Sequence, residues 1–198
     1  KNKSISPTPT IGGVGLIKNL NNMMTKNFKE KANNILIIGK TTGHLYQSEF
    51  FREVLNFNEG QPPEINLFNE KNNGLAILNL ISKKLLQSVH DISSGGILVT
   101  LSEMCIQSNM GAIITIPKNN IKLHEYLFGE DQSRYIVEVR EKNMEEVSRI
   151  LKDNSIYFEK IGKTQEKYME VEKQFKITLN EIEKLHKYWF NNYFGEVA

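Results

Sequence analysis

The 198-residue chain is 39% hydrophobic and 24% charged, the composition of a globular chain with one large or two small domains and a core that needs no disulfide or metal. A net charge of +2, with acids and bases interspersed, argues against an electrostatic nucleic-acid footprint. The single cysteine, Cys105, rules out an internal disulfide and suits a reducing compartment, and no apolar run approaches the ~20 residues of a membrane-spanning helix.

Residues 1–10, KNKSISPTPT, are polar and interrupted by Pro7 and Pro9, which favours an extended tether. They lack both an initiator methionine and the apolar core of a signal peptide, so the chain reads as processed or cut from something longer. IGGVGLI at 11–17 reads as a short strand whose glycines permit close backbone approach. NILIIGK at 34–40 is a buried strand of four consecutive aliphatics. After it, Leu45, Phe50, Val54 and Phe57 recur at roughly helical spacing, and EGQPPEIN forms a loop. A long helix is expected over 67–87, with a break possible at the NNG of 72–74.

SVHDIS, MGAIITI and SRYIVEVR read as strands; in the last, Tyr135, Val137 and Val139 alternate with Ile136, Glu138 and Arg140. NMEEVSRILKDN is an amphipathic helix with Met144, Val147, Ile150 and Leu151 on one face. YFEKIGK, KYMEV and FKITL are short strands, and a last helix is expected from Asn180 as N-cap, carrying Ile182, Leu185, Trp189 and Phe190. Helices and hairpin-like strands are mixed rather than strictly alternating, which makes the fold α+β: a mixed sheet flanked by helices.

Three stretches could carry chemistry. In HDISSGG, Asp91, Ser93 and Ser94 precede Gly95, Gly96 and an apolar helical face of Ile97, Leu98, Leu101, Met104 and Cys105. Ser93 or Ser94 is the expected N-cap. Free N–H groups beside glycines could receive a phosphate or ribose phosphate; equally, the glycines could serve tight helix packing, since the P-loop arrangement is absent. FGEDQSRY places Glu130, Asp131 and Gln132 at a strand entrance, where they could bind Mg²⁺ or ribose hydroxyls; the alternatives are a simply solvated loop, or a Glu130 that pairs with Arg134. GKTTGHLYQSE follows a buried strand, a place where ligands sit in open sheets, although a threonine-rich cap explains it adequately. Cys105 lies on the apolar face and reads as a buried thiol, not a nucleophile. His44, His90, His124 and His186 show no paired metal spacing.

PTPTIGGVGLI, NILIIGKTTGHLYQSEF, VHDISSGGILVTLSEM and LFGEDQSRYIVEV, in that order, resemble the C-terminal part of the synthetase subunit (subunit II) of phosphoribosylformylglycinamidine synthases. That enzyme belongs to a superfamily with aminoimidazole ribonucleotide synthetase. The resemblance implies that residues 1–20 are a connecting tail from a missing ATP-binding domain and 21–198 a C-terminal α+β domain. It implies a cytoplasmic, ATP- and Mg²⁺-dependent C–N ligase of purine biosynthesis. That enzyme converts formylglycinamide ribonucleotide and glutamine-derived ammonia to formylglycinamidine ribonucleotide, with ADP and phosphate released. Its partners would be the preceding domains, a glutaminase subunit and a small accessory subunit, with a homodimer of the fragment also expected and neither nucleic acid nor membrane. The catalytic histidine and most Mg²⁺ carboxylates of the family lie in the ATP-binding domains, so no catalytic group and no metal ligand is expected here. A Glu-Ser-Gln triplet of the family's first C-terminal domain corresponds to Glu130, Asp131 and Gln132. Asp91, Ser93, Ser94 and Gly95 complete the expected substrate- or phosphate-binding set. Tyr46 and Gln47 stand where the family has two glycines. The alternative is a structural or interface domain with no ligand site.

Overall fold

The structure is a computed structural model that describes residues 10–17, 19–118 and 120–195, without the side chains of residues 190–192. The tether expected at 1–9 and the Phe190 side chain lie outside the described residues. No strand forms at 11–17: these residues are exposed, and nothing lies within 4 Å of a Cβ placed on Gly12, Gly13 or Gly15. A strand without a neighbour has no ladder to hold it.

The strand of four aliphatics is β1 (Asn34–Ile38), and every residue of it is buried. A half-exposed strand alternates apolar and polar residues; one covered on both faces does not. Here Ile35 and Ile37 enter one core, and Leu36 and Ile38 enter the other. In β4 (Tyr135–Val139), Ile136 joins the first core and Val137 and Val139 the second. The period-2 pattern read from the sequence is thus a partition between two layers.

The remaining elements are α1 (Leu67–Ser82), β2 (Leu86–Asp91), α2 (Gly96–Ile106), β3 (Gly111–Ile114) and α3 (Leu123–Phe128), then, after β4, α4 (Met144–Asp153), β5 (Phe158–Gln165), β6 (Tyr168–Val171), β7 (Phe175–Thr178) and α5 (Leu179–Phe194). The seven strands make one sheet in the order β2-β4-β1-β5-β3-β6-β7. Neighbours are antiparallel except β3 and β6, which run parallel. The first core lies under α2, α3 and α5, through Ile97, Leu101, Met104, Tyr126 and Ile182. The second lies under α1 and α4, through Ile77, Leu80, Val147 and Leu151. The α+β fold expected from the sequence, a mixed sheet flanked by helices, is the architecture found.

Several local expectations are corrected. The helix from residue 67 runs unbroken through Gly74 but ends at Ser82 rather than 87, because Leu86 and Gln87 have joined β2. The helical series from Leu45 to Phe57 is realised only as a five-residue π-turn, Phe50–Val54. The last helix is capped by Thr178, two residues before Asn180. The Thr178 hydroxyl accepts from Glu181 N, and the Glu181 carboxylate reaches back to Thr178 N, a reciprocal capping box. No described helix is long and apolar enough to cross a membrane.

Candidate functional site

The chain passes from β2 into α2 beside the loop that joins α3 to β4, and three backbones nearly touch there. A Cβ on Gly96 would lie 2.7 Å from Gly129 O, and one on Gly129 would lie 2.8 Å from Gly43 Cα. Gly95 and Gly96 also take φ of 80° and 67°, which side chains resist. Neither serine caps α2, contrary to expectation: the N-cap is Gly95, and no side chain of the cap residue bonds to the helix. The anion at this helix start is internal. Glu130 Oε1 accepts from Gly95 N at 2.7 Å and from Glu49 N at 2.8 Å, so one carboxylate closes two N-termini at once.

Asp131 does the same for the loop after β1. It accepts from the N–H groups of Thr42, Gly43 and His44 at 3.0, 3.0 and 3.3 Å and from the Thr42 hydroxyl. Arg134, 1% exposed, approaches Asp131 Oδ2 to 3.6 Å and donates to Asp131 O, Thr41 Oγ1 and Gly129 O. The pairing of Arg134 with Glu130 expected from the sequence is replaced by this one, because Asp131 is the carboxylate turned inward. Burial works to raise the Asp131 carboxyl. The Arg134 charge, the Thr42 hydroxyl and the N–H donors outweigh it, leaving the group below the usual aspartate range.

Two polar clefts flank Gln132 and Ser133. One, of about 350 Å³, is lined by Asp91, Ser93, Ser94, Glu130 and Gln132 with Glu70 and Tyr135. The other, of about 320 Å³, is lined by Lys40, His44, Asn69, Asn73, Asp131 and Gln132. The fold therefore brings five of the seven sequence-selected residues to one cleft. Asp131 faces the neighbouring cleft, and Gly95 lies behind the first one as a backbone donor. The sequence does not single out Glu70, Tyr135 or Asn73, since nothing local shows which polar residue will overlook a cleft.

A family model described as AIR synthase related protein, C-terminal domain, matches residues 31–173. The chain belongs to this family. The phosphoribosylformylglycinamidine synthase subunit PurL of Pelagibacter ubique is 50% identical over 195 residues, which are 98% of this chain and 26% of that protein. The subunit of the same name from Rhodopseudomonas palustris strain BisB5 is 36% identical over 193 residues, again 98% of this chain and 26% of the relative. The chain thus spans about a quarter of the length of the curated relatives it matches. Among solved structures, Thermotoga maritima PurL complexed with FGAR aligns with a TM-score of 0.68 at 18% identity, covering 82% of this chain and 30% of that one. The hydrogenase maturation protein HypE aligns at 0.54 and 14% identity, over 79% and 55%. These two likenesses are of fold.

Within this AIR synthase related domain, Tyr46 and Gln47 serve the loop that follows them. Gln47 takes φ of 63° and donates to Asn58 O and Gly60 O, while the Tyr46 ring packs on Gly60 and, edge-on, on Phe51. The two side chains fasten the loop that carries Pro63 and Glu64 to the second cleft. His90 bridges carboxylates: Nε2 lies 2.9 Å from Glu103 and Nδ1 3.2 Å from Asp91. Cys105 is fully buried on α2, and burial pushes its thiol up to about 12, so the inert reading holds.

Proposed function

We propose that this chain is the C-terminal part of the synthetase subunit of a phosphoribosylformylglycinamidine synthase. Residues 1–20 form its connecting tail and 21–198 its α+β domain. The observation that supports this most is 50% identity to a PurL over 98% of the chain, confined to 26% of the relative. The assembled enzyme is a cytoplasmic ligase of purine biosynthesis. It uses ATP, Mg²⁺ and glutamine-derived ammonia to convert formylglycinamide ribonucleotide to formylglycinamidine ribonucleotide, ADP and phosphate. It works with a glutaminase subunit and a small accessory subunit, and the fragment by itself forms no product.

Catalytic and Mg²⁺-holding groups belong to the preceding domains. Among the described residues no group of three or more His, Cys, Asp or Glu is arranged to hold a metal ion. Glu130 and Asp131, the nearest carboxylates, already accept from backbone N–H groups. This donor set does not fit Mg²⁺. Of the substrate- or phosphate-binding set, Asp91, Ser93, Ser94 and Gln132 are the members left to touch a ligand. Gly95, Glu130 and Asp131 hold the loops that present them. The spent carboxylates also favour a second reading, an interface domain that binds nothing itself.

The test of the main reading is product formation by the subunit with and without this chain. Turnover undiminished by its deletion would sink it. Calorimetric titration of formylglycinamide ribonucleotide, with and without MgADP, separates the two readings. Heat that vanishes with Ser94→Ala or Gln132→Ala marks a ligand cleft. No heat from the folded chain leaves the interface reading.

A further inference from the structure

Residues 24–33 wrap the open side of β2 before the chain enters β1. Val89 N donates to Thr25 O at 3.3 Å, and Phe28, 2% exposed, plugs the first core. The firmest attachment is a carboxylate on β4, the strand that pairs with β2. Glu138, 0% exposed, accepts from Lys29 N at 2.8 Å, Glu30 N at 3.1 Å, Asn33 Nδ2 at 2.7 Å and Ser88 Oγ at 3.0 Å. Four uncharged donors around one buried carboxylate make a strong, directional anchor. Three of the four come from the wrapping segment.

The same segment touches the α2 side through Lys26, whose Nζ lies 2.6 Å from Glu103 Oε2. That oxygen is also the partner of His90 Nε2 at 2.9 Å, and His90 Nδ1 faces Asp91 at the lip of the 350 Å³ cleft. Lys26 and His90 therefore share one acceptor atom, and a shift of either must change the bond of the other. Burial works to raise Glu103, but these two partners hold it below the usual glutamate range, as an ionised bridge requires.

We propose that residues 24–33 are a strap that transmits the position of the chain before it to the cleft, fastened by Glu138 and read out at Asp91 through Lys26, Glu103 and His90. The role rests on the reading of this chain as the continuation of a longer subunit. The coupling is measured on this chain alone, so its failure and the failure of the ligase reading are separate results.

The experiment follows amide hydrogen exchange and the imidazole ¹⁵N resonances of His90 in the 198-residue chain. Glu138→Gln should speed exchange at Lys29 and Glu30 by about tenfold, the loss of a charge-assisted bond, with β1 still protected, and should move the His90 resonances. The His90 shift should disappear when the same change is made in a Lys26→Met background, since the relay is then already cut. Unchanged exchange at Lys29 and Glu30 overturns the clasp. An unmoved His90, or a shift that survives Lys26→Met, overturns the coupling. Should Glu138→Gln unfold the chain, Ser88→Ala removes one donor more gently. It must move both readouts in the same direction, and no movement in either overturns the proposal.

Discussion

Asp131 serves three consecutive backbone N–H groups and a buried guanidinium with two oxygens, and its neighbour Glu130 serves two N-termini with one. Removing such a carboxylate leaves its partners buried and unmatched, which costs more than the bonds contributed. Asp131→Ala should lower stability by about 3–5 kcal/mol, measured by urea unfolding. Glu130→Ala removes only caps and should cost about 1–2 kcal/mol. The pH dependence follows from the depressed Asp131 carboxyl. The folded group holds its charge to lower pH than the unfolded one, whose value is about 3.9. Its stabilisation is complete well above that value and is lost as pH falls through the folded value. Asp131→Asn should flatten the acid limb of a stability-versus-pH curve between pH 5 and 2 (roughly the window of such linkage); an unchanged limb would assign the acid transition to other carboxylates.

At the scale of elements, the β2–α2 junction shows what was legible and what was not. The apolar series of α2 was readable because burial follows the helical repeat: Ile97, Leu101, Met104 and Cys105 are all fully buried. The glycines were readable as a close approach, but not what approaches Gly96, since Gly129 lies 33 positions away in sequence. The serines were assigned the cap by the local rule, and a distant carboxylate displaced them. Strands 11–17 and the helix after residue 45 failed for a related reason: pattern gives a segment's preference, while a strand partner or a packing surface decides whether it forms. Seven candidate residues were named from local sequence, and five line one cleft, because Asp91–Ser94 and Glu130–Gln132 each arrive on a loop at the same end of the sheet. Gly96→Ala should cost about 2 kcal/mol or more, since it combines φ of 67° with a Cβ 2.7 Å from Gly129 O. Gly74→Ala is the control: within α1 its Cβ meets only Tyr135 Oη at 3.7 Å, and substitution should leave thermal stability unchanged or slightly raised.

Over the whole molecule the two covered faces of the sheet contrast with the outside of the helices. α1 buries Ala76, Ile77 and Leu80 against the second core, yet its other side shows Leu67, Phe68, Leu75 and Leu78, each more than half exposed. A helix that is apolar on both sides belongs between two surfaces, and exposed apolar residues in such a row mark an interface. Ile11, Val14, Leu16 and Leu20 add more uncovered apolar surface ahead of the strap. Under the proposed function, the cover in the assembled subunit would come from the preceding domains. In the isolated chain the nearest substitute is a second copy, so sedimentation should rise with concentration. Leu75 and Leu78 test which surface is responsible. Leu75→Lys with Leu78→Glu replaces exposed apolar atoms by opposite charges on one helix face, touches neither core and should leave the melting temperature unchanged. It should return the chain to a monomer over the same concentrations. Persistent association in that variant would move the interface to the segment 11–20, and a monomeric parent chain would mean that the uncovered α1 face is too small to hold two copies together.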